Sequence, residues 1–585
     1  MRIFVSRKIK AMAALCICLI LLLESGCSRN VTANASGSKA DLSKESGADA
    51  EQNASDMEDV TGGQESDLAR EEVGTFPQYE WMDRPLDVRE DKYRNFYEIF
   101  VYSFADSNGD GIGDLNGVTA KLSYVKDMGF DAIWLMPVMQ SPTYHKYDVT
   151  DYLSIDSDYG TMDDMRELVK QAHENDIRVI IDMVINHTSS SHPWFTEASS
   201  FLRGLDSKDE RTVSELKSEC PYVDYYNFAK EPLDNTWYKV SGCDWYYEGS
   251  FWSEMPDLNL SCDELWSEIE RISSFWLEDV CVDGFRMDAV LHFNENDTEF
   301  NSAALNRLYE YCRNIYPDFY MVCEAWTGAN TIAGYYESGA DSFFNFDAAG
   351  PEGKLIKAAN GTAKAETLVK AMVNYEEEFG DANPSFIDAP FLTNHDMGRV
   401  SNALMGNPDA LKMAGGLLLS MSGSPFVYYG EEIGMQSKGT KDENKRLSIP
   451  WKDVTIETRG PKDADSGIEQ KLGTVEDQQL DPLSVLNYYK RALLIRNQNP
   501  EIARGKTTVF EEFTEGNHAF ISREYEGTEI GILFNNSKDE TYSFDLSETE
   551  WSEREIVGFL TVDNSEIVME NGVVTLPARS ILYLK

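Results

Sequence analysis

Short apolar runs that end in polar residues, each followed by a stretch of helical spacing, recur along most of the chain. Residues 95–105, 131–137, 177–184 and 282–290 read as strands, and so do 318–324, 341–345, 385–394 and 425–429. Residues 115–128, 163–175, 263–279, 298–314 and 482–496 carry helical spacing; in the second of these Met165, Leu168, Val169 and Ala172 share one face. Eight such β/α units predict a parallel (β/α)8 TIM barrel, whose functional groups gather at the C-terminal ends of the strands. The rhythm breaks over residues 188–259, where Trp, Tyr, Cys and Ser crowd an irregular stretch, and this predicts an inserted domain after strand 3. After residue 500 the period changes to two near 519–525, 530–535 and 573–584, which predicts a C-terminal antiparallel β domain. The expected boundaries are 79–187 and 260–499 for the barrel, 188–259 for the insertion and 500–585 for a β-sandwich-like C-terminal domain.

The N-terminus has a different pattern. Arg2, Arg7, Lys8 and Lys10 precede an apolar run over residues 11–23 and then Ser25-Gly26-Cys27. The run is short for a membrane span and reads as an export signal over residues 1–27. A Cys after small residues resembles a bacterial lipoprotein signal, which implies lipidation at Cys27; Glu24 departs from the aliphatic residue usual there. Residues 28–78 are rich in Ser, Gly, Ala, Asp and Glu and too poor in apolar surface to fold, so they read as an acidic flexible linker. The expected location is extracellular, on the cell surface, with the membrane touched only through the lipid. A formal charge of −49 over 585 residues excludes nucleic acid and anionic headgroups as partners. Six cysteines follow Cys27, in no zinc-like or stapled spacing, and Cys220–Cys243 is the expected disulfide. The chain is expected to be monomeric.

Two stretches carry chemistry. Asp106-Ser107-Asn108-Gly109-Asp110-Gly111-Ile112-Gly113-Asp114 alternates oxygen donors with glycines, the pattern of a loop that wraps Ca²⁺ through Asp106, Asn108, Asp110, the Ile112 carbonyl and Asp114. Val282-Asp283-Gly284-Phe285-Arg286-Met287-Asp288 reads as a buried strand that ends in a carboxylate, with Arg286 on the same face. The guanidinium is expected to lower the Asp288 pKa and keep it ionised, as a carboxylate nucleophile requires. Asn186-His187, Glu324 and His395-Asp396 stand at the ends of other predicted strands, so three carboxylates share one rim with His and Arg. Paired carboxyls are the apparatus of a retaining glycosidase.

In these motifs the chain resembles glycoside hydrolase family 13, the α-amylase family. Asp182-Met183-Val184-Ile185-Asn186-His187, Gly284 to Asp288, Glu324-Ala325-Trp326 and Phe391-Leu392-Thr393-Asn394-His395-Asp396 look like its four motifs in order, and Met255-Pro256-Asp257-Leu258-Asn259 like an extra motif closing the insertion. The resemblance implies Asp288 as nucleophile, Glu324 as general acid/base and Asp396 as transition-state stabiliser. It also implies that Arg286, His187 and His395 contact the sugar, with Tyr147 stacked beneath it and His145 beside it. Glu324, with anionic neighbours, is expected to have a raised pKa. Tyr144 stands where related exo-glucosidases carry Asp, so the run Tyr144-His145-Lys146-Tyr147 is more like an endo-acting enzyme. The expected activity is retaining endo-hydrolysis of α-1,4 bonds in starch, glycogen or maltooligosaccharides. An oligosaccharide α-glucosidase or neopullulanase-like enzyme, and a noncatalytic surface glycan-binding protein, stand as alternatives.

Overall fold

A computed structural model describes residues 76–295, 297–452 and 457–585. The signal, Cys27 and almost all of the acidic linker lie outside the described residues. Seven parallel strands form the central sheet: β1 (Phe96–Ile99), β2 (Ala132–Leu135), β3 (Arg178–Met183), β4 (Gly284–Met287), β5 (Tyr320–Cys323), β6 (Ser342–Phe343) and β7 (Phe426–Tyr428). Their order is β6-β5-β4-β3-β2-β1-β7. The edges close through parallel bridges from Phe344 to Ala389 and from Phe391 to Phe426. The stretch expected as a full seventh strand at 385–394 therefore contributes two bridges rather than a ladder. Its Pro390 has no N–H to donate, which limits the pairing it can make. The first strand is also shorter than expected, because a 3-10 turn starts at Val101.

Strand alternation decides what fills the barrel. Phe96, Ala132, Ile180, Tyr320 and Phe426 form one buried apolar cluster. Two residues further along their strands stand Glu98, Trp134 and Asp182, with Arg286 paired to Asp182 across the β3–β4 ladder. The same period that builds an apolar floor thus builds a polar layer above it. Gly284 permits the close approach this needs: a Cβ there would lie 2.1 Å from the Tyr320 carbonyl oxygen.

Helices follow the strands as their spacing predicts at Met162–Glu174, Asp263–Ser274, Thr298–Ile315 and Val485–Gln498, and further helices that the spacing did not reveal stand at Ala329–Tyr335 and Ala365–Ala382. The predicted helix at 115–128 is two helices, Leu115–Ala120 and Leu122–Met128, parted at Lys121. The insertion after β3 contains the helix Pro193–Gly204 and a small antiparallel sheet of Phe228–Ala229, Trp237–Lys239 and Tyr246–Glu248. It returns to the barrel where Asp257 bridges His187 and the Leu258 N–H donates to the Asn186 carbonyl at 2.8 Å. The C-terminal region is a five-stranded antiparallel sheet with a separate three-stranded one. Cys220 and Cys243 are free thiols, against the expected disulfide; the Cys243 Sγ faces the Val240 carbonyl at 3.9 Å instead.

Candidate active site

One guanidinium organises the rim. Arg286 Nη1 donates to Asp182 Oδ1 and to Asp288 Oδ1, each at 2.6 Å, and Nη2 lies 3.0 Å from Glu324 Oε2. Arg286 is 1 % exposed, so the three carboxylates are gathered in a low-dielectric setting where one cation holds them together. Directly after Asp288, Ala289 adopts a left-handed φ of 50°. This conformation costs a non-glycine residue free energy, and here it accompanies an Ala289 N–H that donates to Glu324 Oε2 at 3.0 Å.

A second cluster faces the first. His395 Nε2 lies 3.1 Å from Asp396 Oδ2 and 2.7 Å from the Tyr147 hydroxyl, while Nδ1 lies 2.7 Å from Glu98 Oε1. The Tyr147 ring stacks on His395 with centroids 5.5 Å apart, and its hydroxyl reaches Asp182 Oδ2 at 3.3 Å. Arg446 Nη2 holds Asp396 Oδ1 at 2.7 Å, and its Nη1 donates to the Tyr144 hydroxyl at 3.1 Å. His145 Nδ1 accepts the Tyr147 N–H at 3.2 Å and so fixes the turn that presents that ring. His187 is buried at the mouth of the insertion with Nε2 unpartnered, 5.3 Å ring to ring from Phe251. A buried imidazole nitrogen without a partner is a group prepared for a ligand hydroxyl.

The electrostatics separate the carboxyls. Burial raises Asp288 even against Arg286, so the expected lowering is overturned: complete desolvation outweighs the ion pair. Glu324 is raised as expected, by burial first and then by Asp288 and Asp396, with Arg286 opposing. Burial lifts Asp182 to about 7. Asp396 goes the other way; burial would raise it, but His395 and Arg446 hold it far below the carboxylate range. Burial pushes His395 down while Asp396 and Glu98 push it up, and the balance stands at about 9. Burial takes His145 and His187 down to about 4, so both rings are neutral at pH 7. The rim therefore offers a fixed anion at Asp396, a fixed cation at Arg286 and three carboxyls, Asp182, Asp288 and Glu324, with raised proton affinity.

All eight predicted site residues on this rim come together. Sequence reasoning missed Glu98, Trp134 and Arg446 as members, and quoted Asp182 only inside a motif without assigning it to the site. Glu98 and Trp134 carry a faint signal, an inward position on a strand; Arg446 lies in an irregular stretch and carries none.

The predicted metal loop is present after β1. Asp106 Oδ1 accepts the Asn108 and Gly109 N–H groups at 2.9 and 2.7 Å, Asn108 Oδ1 accepts from Asp110 at 2.9 Å, and Asp110 Oδ1 accepts from Ile112 at 2.7 Å. Asp114 caps the helix Leu115–Ala120 through the Gly117 N–H at 2.7 Å. Gly109 and Gly111, at φ 93° and 95°, allow the loop to curl about these oxygens. Asn108 Oδ1 and Asp110 Oδ1 each accept one N–H and keep a further lone pair, and oxygens of this kind suit a hard cation.

A barrel with paired carboxylates at the C-terminal ends of adjacent strands defines a glycoside hydrolase. A model of the alpha-amylase catalytic domain matches residues 98–505, and the chain belongs to that family, glycoside hydrolase family 13. Alpha-amylase 3 of Dictyoglomus thermophilum is 39% identical over 469 residues, spanning 77% of this chain and 87% of the relative. The structure of Eubacterium rectale Amy13B superposes with a TM-score of 0.82 at 43% identity, over 86% of this chain and 97% of the other. A 4-alpha-glucanotransferase of Thermotoga maritima is 28% identical over 471 residues, 77% of this chain and 97% of the relative.

Proposed function

We propose that the enzyme cleaves internal α-1,4-glucosidic bonds of starch, glycogen or maltooligosaccharides with retention. The observation that carries this reading is the Arg286 bridge between Asp288 and Glu324, two carboxyls that end neighbouring strands. An Asp288 carboxylate oxygen forms a bond to C1 of the sugar as the C1–O4 bond breaks, and the departing O4 takes the Glu324 proton. Water then gives its proton to Glu324 and its oxygen to C1, releasing Asp288 and restoring the α configuration. The lowered pKa of Asp396 supports its role as the fixed anion beside an oxocarbenium-like centre. Arg286, His187, His395, His145 and Tyr147 hold the sugar; for His187 the support is its unpartnered Nε2. Tyr144, tied to Arg446, leaves no carboxylate free there to grip a chain end, which favours endo action. Proton NMR of the first products tests the retaining step: the α anomer should appear first, and the β anomer first would overturn it.

A second reading, transfer of the glucosyl group to another glucan instead of water, has support in the likeness to a glucanotransferase. Ca²⁺ would be held by Asp106, Asn108, Asp110, the Ile112 carbonyl and Asp114. Bound there it would supply structure and take no part in the chemistry. Lipidation at Cys27 would hold the enzyme at the cell surface behind its acidic linker, where polymers too large for import are met.

A further inference from the structure

Glu98 is a charged residue that the hydrolysis above leaves without a task. It stands inward on β1, two residues along from the Phe96 of the apolar floor, and is 1% exposed. Its Oε1 lies 2.7 Å from His395 Nδ1. His395, itself fully buried, turns its other nitrogen to Asp396 Oδ2 at 3.1 Å and to the Tyr147 hydroxyl at 2.7 Å. The imidazole is therefore clamped between two carboxylates, one sealed in the barrel and one partly open at the rim.

Counting protons decides the state of the ring. A neutral imidazole carries a single N–H. With that proton on Nε2, a bare Nδ1 lone pair would face Glu98; with it on Nδ1, a bare Nε2 would face Asp396. A lone pair against a carboxylate is repulsive in either case, whereas the imidazolium donates on both sides. The ring cannot turn away from this choice. Tyr147 stacks on it at 5.5 Å, and the Trp134 ring meets it edge-on at 5.6 Å.

The other charges around the pair do not replace Glu98. Arg286 is taken up by Asp182, Asp288 and Glu324. Arg446 holds Asp396 Oδ1 at 2.7 Å and the His395 carbonyl at 3.2 Å, and a guanidinium keeps its proton at any working pH. Of the two cations that hold Asp396, only the histidine can lose its charge. Asp182 and Asp288 feel the ring's charge, and Tyr428 and Glu431 feel that of Glu98, but the hydrogen bond at Nδ1 is made by Glu98. Burial raises Glu98 while His395 and Arg286 oppose the rise, so the contact itself favours an ionised carboxylate against a charged ring. A sealed ion pair returns little stability over an apolar pair of the same size. What it fixes is the charge and the angle of the ring.

We propose that Glu98 is a positioning residue of the hydrolysis: its carboxylate holds His395 by Nδ1, keeps the ring donating from both nitrogens and so anchors Asp396 and the Tyr147 hydroxyl for the sugar. It rests on the glucan reading above and adds to it a residue that touches no substrate.

Nitrogen-15 NMR of protein labelled at its seven histidines reads the ring directly, with His395→Gln assigning the signal. In wild type the His395 ring should stay doubly protonated through pH 8. Glu98→Gln keeps the size of the side chain and an oxygen to accept the N–H but removes the charge, so the ring should titrate at least one pH unit lower. Glu98→Asp, which restores the charge, should bring the titration back toward wild type. The ratio of Glu98→Gln to wild-type kcat/KM on maltoheptaose should fall about tenfold between pH 5.5 and pH 8, the counterpart of one pH unit. A wild-type ring with one N–H at pH 7 would put the proton on Glu98 and overturn the proposal, and that measurement needs no variant to fold. A titration unmoved by Glu98→Gln, or a kcat/KM ratio equal at the two pH values, would overturn it as well. Wild type that cleaves no maltoheptaose would overturn the glucan reading, with the titration still deciding whether Glu98 holds the charge of His395.

Discussion

Asp288 and Glu324 are both raised by burial, yet covalent glycoside cleavage needs one ionised and the other protonated. Arg286 touches both; the Ala289 N–H donates to Glu324, and the cationic pair around Asp396 favours keeping only one proton on the two carboxyls. Asp288→Asn should therefore leave the fold unchanged and lower kcat at least a thousandfold, since an amide forms no glycosyl ester. A purified variant within tenfold of wild type would contradict the assignment. His395 makes a separate prediction. Its pKa stands at about 9 in the fold against 6.5 for the free ring. A pKa raised on folding adds stability below the unfolded value, and that stability is lost as pH rises through the folded value. The melting temperature should fall between pH 6.5 and 9, and His395→Gln should flatten that slope; an equal slope in the variant would contradict it. At this scale the sequence was legible wherever a polar residue ended an apolar run, as at Asp288 and Glu324. It was silent at Arg446, because only folding brings that side chain 50 positions along the chain to Asp396. The sign of the Asp288 shift was also out of reach, because complete burial is a property of the closed barrel.

At the scale of elements, Gly284 lets β4 and β5 pair as they do. Gly284→Ala would drive a methyl group onto the Tyr320 carbonyl at 2.1 Å, a backbone atom that cannot swing away. The cost should be about 3 kcal/mol, read as a clear drop in melting temperature with the C-terminal sheets unchanged by circular dichroism. An unchanged melting curve would mean that the strands part easily there. The loop after β1 carries the metal prediction. Thorough chelation should lower the melting temperature, because an ion held only by the folded state stabilises it by mass action; Asp110→Ala should remove the response. No shift on chelation, with no calcium found in the purified protein, would take the ion out of the account. Most barrel strands were legible because their periods are unambiguous, whereas the helices Ala329–Tyr335, Ala365–Ala382 and Pro408–Leu419 went unread. The seventh strand was not, since the apolar run over 385–394 looks like any other strand and only the bridging at Ala389 and Phe391 reveals how little of it pairs.

For the whole molecule, the change of period near residue 500 and the irregular stretch after β3 marked the C-terminal sheets and the insertion. The disulfide expected between Cys220 and Cys243 failed because parity and location say nothing about which sulfurs face each other. The proposed surface location depends on lipidation at Cys27. Native protein should partition with membranes and Cys27→Ser with the medium; equal distributions would reduce the segment to a signal followed by a spacer. The account as a whole stands on how the chain of a polymer is cut. Soluble starch digested to low conversion should yield a ladder of mixed maltooligosaccharides with wild-type enzyme and none with Glu324→Gln. Glucose as the sole product, or a ladder undiminished in that variant, would contradict it.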